Sequence, residues 1–166
     1  MLSICGFATG RWFGLIGLLQ RMSHRSLTRL LVRFWLTRLV KYRWLFYRIM
    51  EAGIADRKAF RSSPAYEESL DSWLVAFRHQ DTTVMTNLFR VIAGFDVSSW
   101  LSDIRCPVLI AGGEADPYIP FAEARRLAAQ IPGAELVSWP GAGHLFFAER
   151  TEEYQRLLIR WLDQTT

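Results

Sequence analysis

The chain has 166 residues, 51% of them apolar, which suffices for one globular domain with a core and excludes a disordered segment. The net charge of +4 is uneven: residues 1–100 carry fourteen basic against seven acidic side chains, and residues 101–166 carry six against nine. A basic balance admits nucleic acid or an anionic membrane, but no nucleic-acid motif accompanies it, so no nucleic acid is expected. Two cysteines, Cys5 and Cys106, make neither a disulfide framework nor a metal spacing, and both are expected to be reduced and buried, as in a cytoplasmic protein.

Met1–Gly6 reads as a short buried strand closed by glycine. Arg11–Trp100 is dense in helical signals. Leu27, Leu30, Leu31, Phe34 and Trp35 fall at three- and four-residue spacings and predict an amphipathic helix with this stripe as its apolar face. Arg21, Arg25, Arg29 and Arg33 recur every four residues on one side of that helix. They are expected to form a solvated face; attachment to an anionic membrane and a pocket rim for acidic substrates are the alternatives. No acidic residue precedes Glu51, as in organelle transit peptides. The strand role of Met1–Gly6 and the long apolar pattern that follows argue against a leader. No apolar run is long enough to span a membrane, since Trp12–Leu19 ends at Gln20-Arg21. Further helices are expected over Tyr66–Gln80, started by Ser63-Pro64, and over Thr82–Ala93, with His79 exposed. Asp96–Asp103 then returns the chain to a sheet.

The stretch from Ile104 to Phe147 is the most informative. Val108–Ala111 is an apolar run entered through Pro107 and closed by Gly112 and Gly113, as for a strand buried on both faces. Ala134–Trp139 is a second strand, bounded by Pro132-Gly133 and Pro140-Gly141. Phe121, Ala124, Leu127, Ala128 and Ile131 recur between them at helical spacing. A strand–helix–strand unit of this length implies parallel strands. The loop after the first strand carries Asp116 and the loop after the second carries His144, at the strand ends where open α/β sheets place their sites. Thr151 is a candidate N-cap for a last helix whose apolar stripe is Tyr154, Leu157, Leu158 and Trp161.

G-G-E-A-D-P-Y-I-P followed, after a helix and a strand, by G-A-G-H resembles the acid and histidine segments of α/β-hydrolases. The resemblance implies an α/β class: a partial α/β-hydrolase fold of about three parallel strands with flanking helices and an all-helical cap. Met1–Gly6 would be the sixth strand, giving residues 1–10 as the first strand of a partial core, 11–100 as the cap, and 101–166 as the core segment with both loops. Val108–Gly112 would be the middle strand of a three-stranded sheet. Asp116 would be the triad acid and His144 the base, because a histidine that accepts a proton needs a carboxylate to fix its tautomer and stabilise the cation. As bare residues, an aspartate before a proline is a turn residue and a histidine among aromatics is structural; their order on these two loops favours the family role.

The nucleophile elbow and the oxyanion donor of such an enzyme have no place here. No serine sits in G-x-S-x-G, and Gly6-Phe7-Ala8-Thr9-Gly10 has alanine at that position and no second strand before the acid loop. The expectation is the C-terminal part of a cap-bearing hydrolase of serine type, acting on an ester, lactone, amide or related bond of a small molecule and inactive alone. Relatives with an aspartate nucleophile act on epoxides or carbon–halogen bonds, so the nucleophile stays open. No cofactor or metal is implied. The alternative is a non-catalytic module that binds a membrane or partner through the basic helix and keeps vestigial triad residues. The chain alone is expected either to self-associate through the bare edge of Met1–Gly6 or to need an N-terminal half to fold.

Overall fold

The structure is a computed structural model that describes residues 1–64 and 66–165. No charged residue lies between Pro107 and Glu114, and the strand formed there, β2 (Leu109–Gly113), is buried throughout. β1 (Leu2–Ile4) and β3 (Glu135–Trp139) pair with it in parallel on either side, in the order β1-β2-β3. The register sets Leu2 against Leu109 and Leu109 against Glu135. The pleat divides the run of β2 between two cores. Val108 and Ile110 join Ala124, Leu127 and Ile131, which come largely from helix α7 (Phe121–Gln130). Leu109 and Ala111 face Trp139, Phe146, Leu157 and Trp161 on the other side. Those contacts hold a short helix, Phe146–Glu149, and the last helix, Thr151–Thr165, whose expected stripe points inward. Thr151 is the first residue of that helix rather than the one before it, and its hydroxyl donates back to the Phe147 carbonyl at 3.1 Å.

Between β1 and β2 the chain runs out into a helical lobe and comes back at the point where it left. Thr9 and Asp96 form an antiparallel bridge, with Gly10 N–H donating to the Phe95 carbonyl (2.7 Å) and Val97 N–H to the Ala8 carbonyl (3.0 Å). The lobe contains α1 (Gly14–Ser23), α2 (Ser26–Leu39), α3 (Arg43–Met50), α4 (Arg57–Arg61), α5 (Tyr66–Arg78) and α6 (Thr82–Ala93). Its own core gathers Val32, Leu36, Leu39, Phe46 and Leu74, with a second cluster of Ile54, Phe60 and Leu70. A buried carboxylate, Glu51, sits near the second cluster. It accepts from the Arg61 guanidinium (2.7 and 2.5 Å) and from the Tyr66 hydroxyl (2.6 Å). The Arg61 guanidinium holds the Glu51 carboxyl below its ordinary range, and burial followed by the Glu51 bond pushes Tyr66 up to about 12.

Three further expectations need correction. The helix over Leu27–Trp35 forms, but it buries Val32, Leu36 and Leu39 and leaves Leu27, Leu30, Leu31, Phe34 and Trp35 48–75% exposed. The reason lies on the helix itself. At about 100° per residue, Arg38 projects between Leu27 and Leu31, so burying that face would bury a guanidinium. Instead Arg38 is exposed and stacks over the Phe34 ring at 5.0 Å. The arginine row is also broken, because Arg21 belongs to α1 and Arg25 is the residue before α2. Arg21 and Arg25 are exposed, whereas Arg29 and Arg33 are half-buried beside the inward face. Lastly, Cys106 is exposed and Cys5 half-buried; neither is fully enclosed.

Candidate functional site

The sheet brings the ends of all three strands to one edge. The loop after β2 is held close to the loop after β3: a Cβ on Gly113 would lie 2.3 Å from the carbonyl oxygens of Ala142 and Gly143, an approach that only glycine permits. On the first loop, the Asp116 carboxylate divides its work. Oδ1 accepts from the backbone N–H groups of Tyr118 (2.7 Å) and Ile119 (3.0 Å), the turn expected before proline. Oδ2 lies 2.8 Å from His144 Nδ1. The Asp116 side chain is 2% exposed and that of His144 25%. The two residues that the sequence singles out are thus brought together, and the turn role of Asp116 holds at the same time as its contact with the imidazole.

His144 is held from the lobe side. Its own N–H donates to the Gly53 carbonyl at 2.8 Å, and the Leu145 N–H reaches the same oxygen at 3.3 Å. The Glu149 carboxylate accepts from three backbone donors on two segments: Gly143 (2.8 Å), Ala55 (3.2 Å) and Asp56 (2.9 Å). The Tyr118 ring meets the imidazole edge-on, with centroids 5.3 Å apart. Nε2 has no hydrogen-bond partner among the described residues. His144 borders a mostly apolar cavity of about 220 Å³ whose walls include Cys5, Trp12, Ile16, Tyr118 and Phe147.

Cys5 and Glu149 are site residues that the sequence does not single out. Cys5 directly follows β1 with φ +47°, a left-handed conformation unusual for a side-chain-bearing residue. This places its thiol under the histidine loop, donating to the His144 carbonyl at 3.2 Å. The available signal is topological: a residue ending a strand of this sheet lies at the same edge as the two loops. Glu149 leaves no periodic trace, since its bonds span up to 94 residues. Burial and the neighbouring Asp116 push the Cys5 thiol far above its ordinary value, so it stays protonated and is a poor nucleophile. One donor atom each from Cys5, Asp116 and His144 lie within 4.8 Å of one another. This set could hold a metal ion in principle, but the Asp116 oxygens are already bonded to His144 and two amides, and the thiol to a carbonyl.

The sequence matches the model of the alpha/beta hydrolase family over residues 4–156. A proline iminopeptidase of Lactobacillus helveticus is 37% identical over 70 residues, which are 42% of this chain and 24% of that protein. Among solved structures, MGS-M2, an alpha/beta hydrolase enzyme from a Medee basin deep-sea metagenome library, superposes with a TM-score of 0.66. It is 21% identical, with 100% of this chain and 56% of that chain covered. The enol-lactonase from Burkholderia xenovorans LB400 gives 0.67 at 16% identity, over 98% of this chain and 55% of that one. The chain therefore spans just over half the length of these structures and about a quarter of the iminopeptidase.

Proposed function

The chain belongs to the alpha/beta hydrolase family, and on that premise we propose that it supplies the acid and the base of a hydrolase of serine type. Asp116 orients His144 and stabilises the imidazolium, and His144 moves the proton between an attacking hydroxyl and the leaving group. The observation that carries this is the 2.8 Å contact between Asp116 Oδ2 and His144 Nδ1, made by a buried carboxylate, with the other ring nitrogen left without a partner among the described residues. Nδ1–H donated to the carboxylate leaves the Nε2 lone pair free for a hydroxyl. The substrate class is an ester, lactone, amide or related bond in a small, largely apolar molecule, in keeping with the cavity walls.

In this reading the helical lobe is the cap, and the nucleophile comes from outside these residues. No serine is among the residues bordering the cavity, and Cys5 is a protonated thiol. A strand carrying the nucleophile would add beside β1, whose outer edge is unpaired among the described residues. The 166-residue chain alone then does not hydrolyse p-nitrophenyl esters above the buffer rate, and His144→Ala changes nothing. The test is a longer product joined to a segment with an in-frame G-x-S-x-G: it is expected to lose roughly 10⁴-fold or more of its turnover on His144→Ala. Ester turnover by the 166-residue chain, abolished by His144→Ala, overturns the assignment of the nucleophile to another segment. An active longer product indifferent to His144→Ala overturns the role of His144.

A further inference from the structure

α2 has two apolar faces, and only one is used. Val32, Leu36 and Leu39 pack into the lobe against neighbours that include α1, α3 and α6. The opposite arc, Leu27, Leu30, Leu31, Phe34 and Trp35, is between 48% and 75% exposed. The charged side chains that α2 and the residues flanking it carry at the two ends of this arc are basic: Arg21 and Arg25 at the start, Arg38 and Lys41 at the end, each of them exposed, while Asp81, a carboxylate near the end of α2, lies on the side of Arg33. Residues 1–50 contain nine basic side chains and no acidic one, so the helix has no nearby carboxylate in its own sequence neighbourhood. No helix among the described residues is long and apolar enough to cross a membrane.

We propose that the outer face of α2 is a docking surface for an anionic phospholipid bilayer, with the helix lying in the interfacial plane. A protein partner of ordinary composition would need a strongly acidic rim around an apolar centre. An anionic bilayer presents that chemistry everywhere: acyl chains accept the leucines, and headgroup phosphates accept the guanidinium groups. Trp35 and Phe34 suit the boundary between the two, and the exposed Arg38 guanidinium sits over the Phe34 ring, 5.0 Å from its centroid. The proposal does not depend on the assignment of Asp116 and His144.

The test is co-sedimentation of the purified 166-residue chain with unilamellar vesicles of phosphatidylcholine, with and without phosphatidylglycerol. The expected result is partition onto the phosphatidylglycerol vesicles alone, weakened by salt. Arg25→Gln and Arg38→Gln each lower the partition coefficient roughly fivefold. Leu27→Gln with Leu31→Gln abolishes binding while the circular dichroism spectrum is unchanged, since both positions are exposed. Equal binding to both vesicle types, or retention of binding by the double leucine variant, overturns the proposal. So does concentration-dependent self-association that the leucine variant abolishes, with no vesicle binding, which would assign the face to a second copy of the chain.

Discussion

The sheet segment, residues 104–162, and the helical lobe, residues 14–93, bury apolar side chains under different constraints. In β2 every residue is inside, and the pleat sends alternate side chains to separate cores, so no choice of face has to be made. In α2 a choice exists, because apolar residues occupy both sides of the helix, and what decides it is the one charged side chain that cannot go in. Strands buried on both faces are set by composition; a helix with two apolar faces is set by its misfit residues. A structure of this kind holds one region whose arrangement follows from local sequence and another whose arrangement follows from the cost of burying Arg38.

The largest test of that contrast compares Phe46 and Phe146, both fully buried, one in each region. Phe146→Ala removes the ring stacked on Trp139 at 4.5 Å, and Phe46→Ala removes the ring against Phe77 at 5.3 Å. Each is expected to cost about 3–5 kcal/mol. Hydrogen exchange should show Phe46→Ala loosening α2, α3 and α5 while β2 stays protected, and the reverse for Phe146→Ala. Uniform loosening in both variants would make the two regions a single cooperative unit. The roll of α2 is tested by a smaller effect. Val32→Ala should cost about 2 kcal/mol and Leu31→Ala no more than about 0.5 kcal/mol in denaturant unfolding. The opposite ranking would restore the face expected from the leucine spacing.

The smallest effect concerns the buried carboxylate of the lobe. Arg61 keeps the Glu51 carboxyl below its ordinary value of 4.5, so Glu51 adds stability that is complete above that value and lost as pH falls through the depressed folded one. Arg61 is half-exposed, so screening keeps the contribution small. Glu51→Gln should destabilise the lobe by about 1 kcal/mol at neutral pH, and the gap between variant and parent should close in acid. A pH-independent gap would mean that the loss is one of packing.

Much of the sheet segment could be read in advance. The second and third strands and their parallel sense follow from turn residues and apolar runs, and the order of the two loops places Asp116 and His144 at one edge; the central position of β2 is what the family resemblance implies. The helix over Thr82–Ala93 and the exposure of His79 were equally legible. The burial state of Cys106 and the roll of α2 were not, because periodicity ranks faces by apolar content and carries no penalty for a charge in the middle of one. The place of Cys5 depends on a left-handed residue at the end of β1 and a contact 139 residues away, and local pattern encodes neither.

The bonds around Glu149 have a mechanical consequence. Gly53, Ala55 and Asp56 belong to the lobe and Gly143 and His144 to the sheet, and they are joined backbone to backbone or through one short carboxylate. A linkage this stiff transmits displacement with little slack, as a tie rod does. Tilting residues 53–56 away from the sheet either breaks four hydrogen bonds or drags the imidazole along, away from Asp116. Opening the cavity from this side and keeping the histidine in register are therefore mutually exclusive motions, and any route that admits a molecule without disturbing the ring must lie at the other end of the lobe.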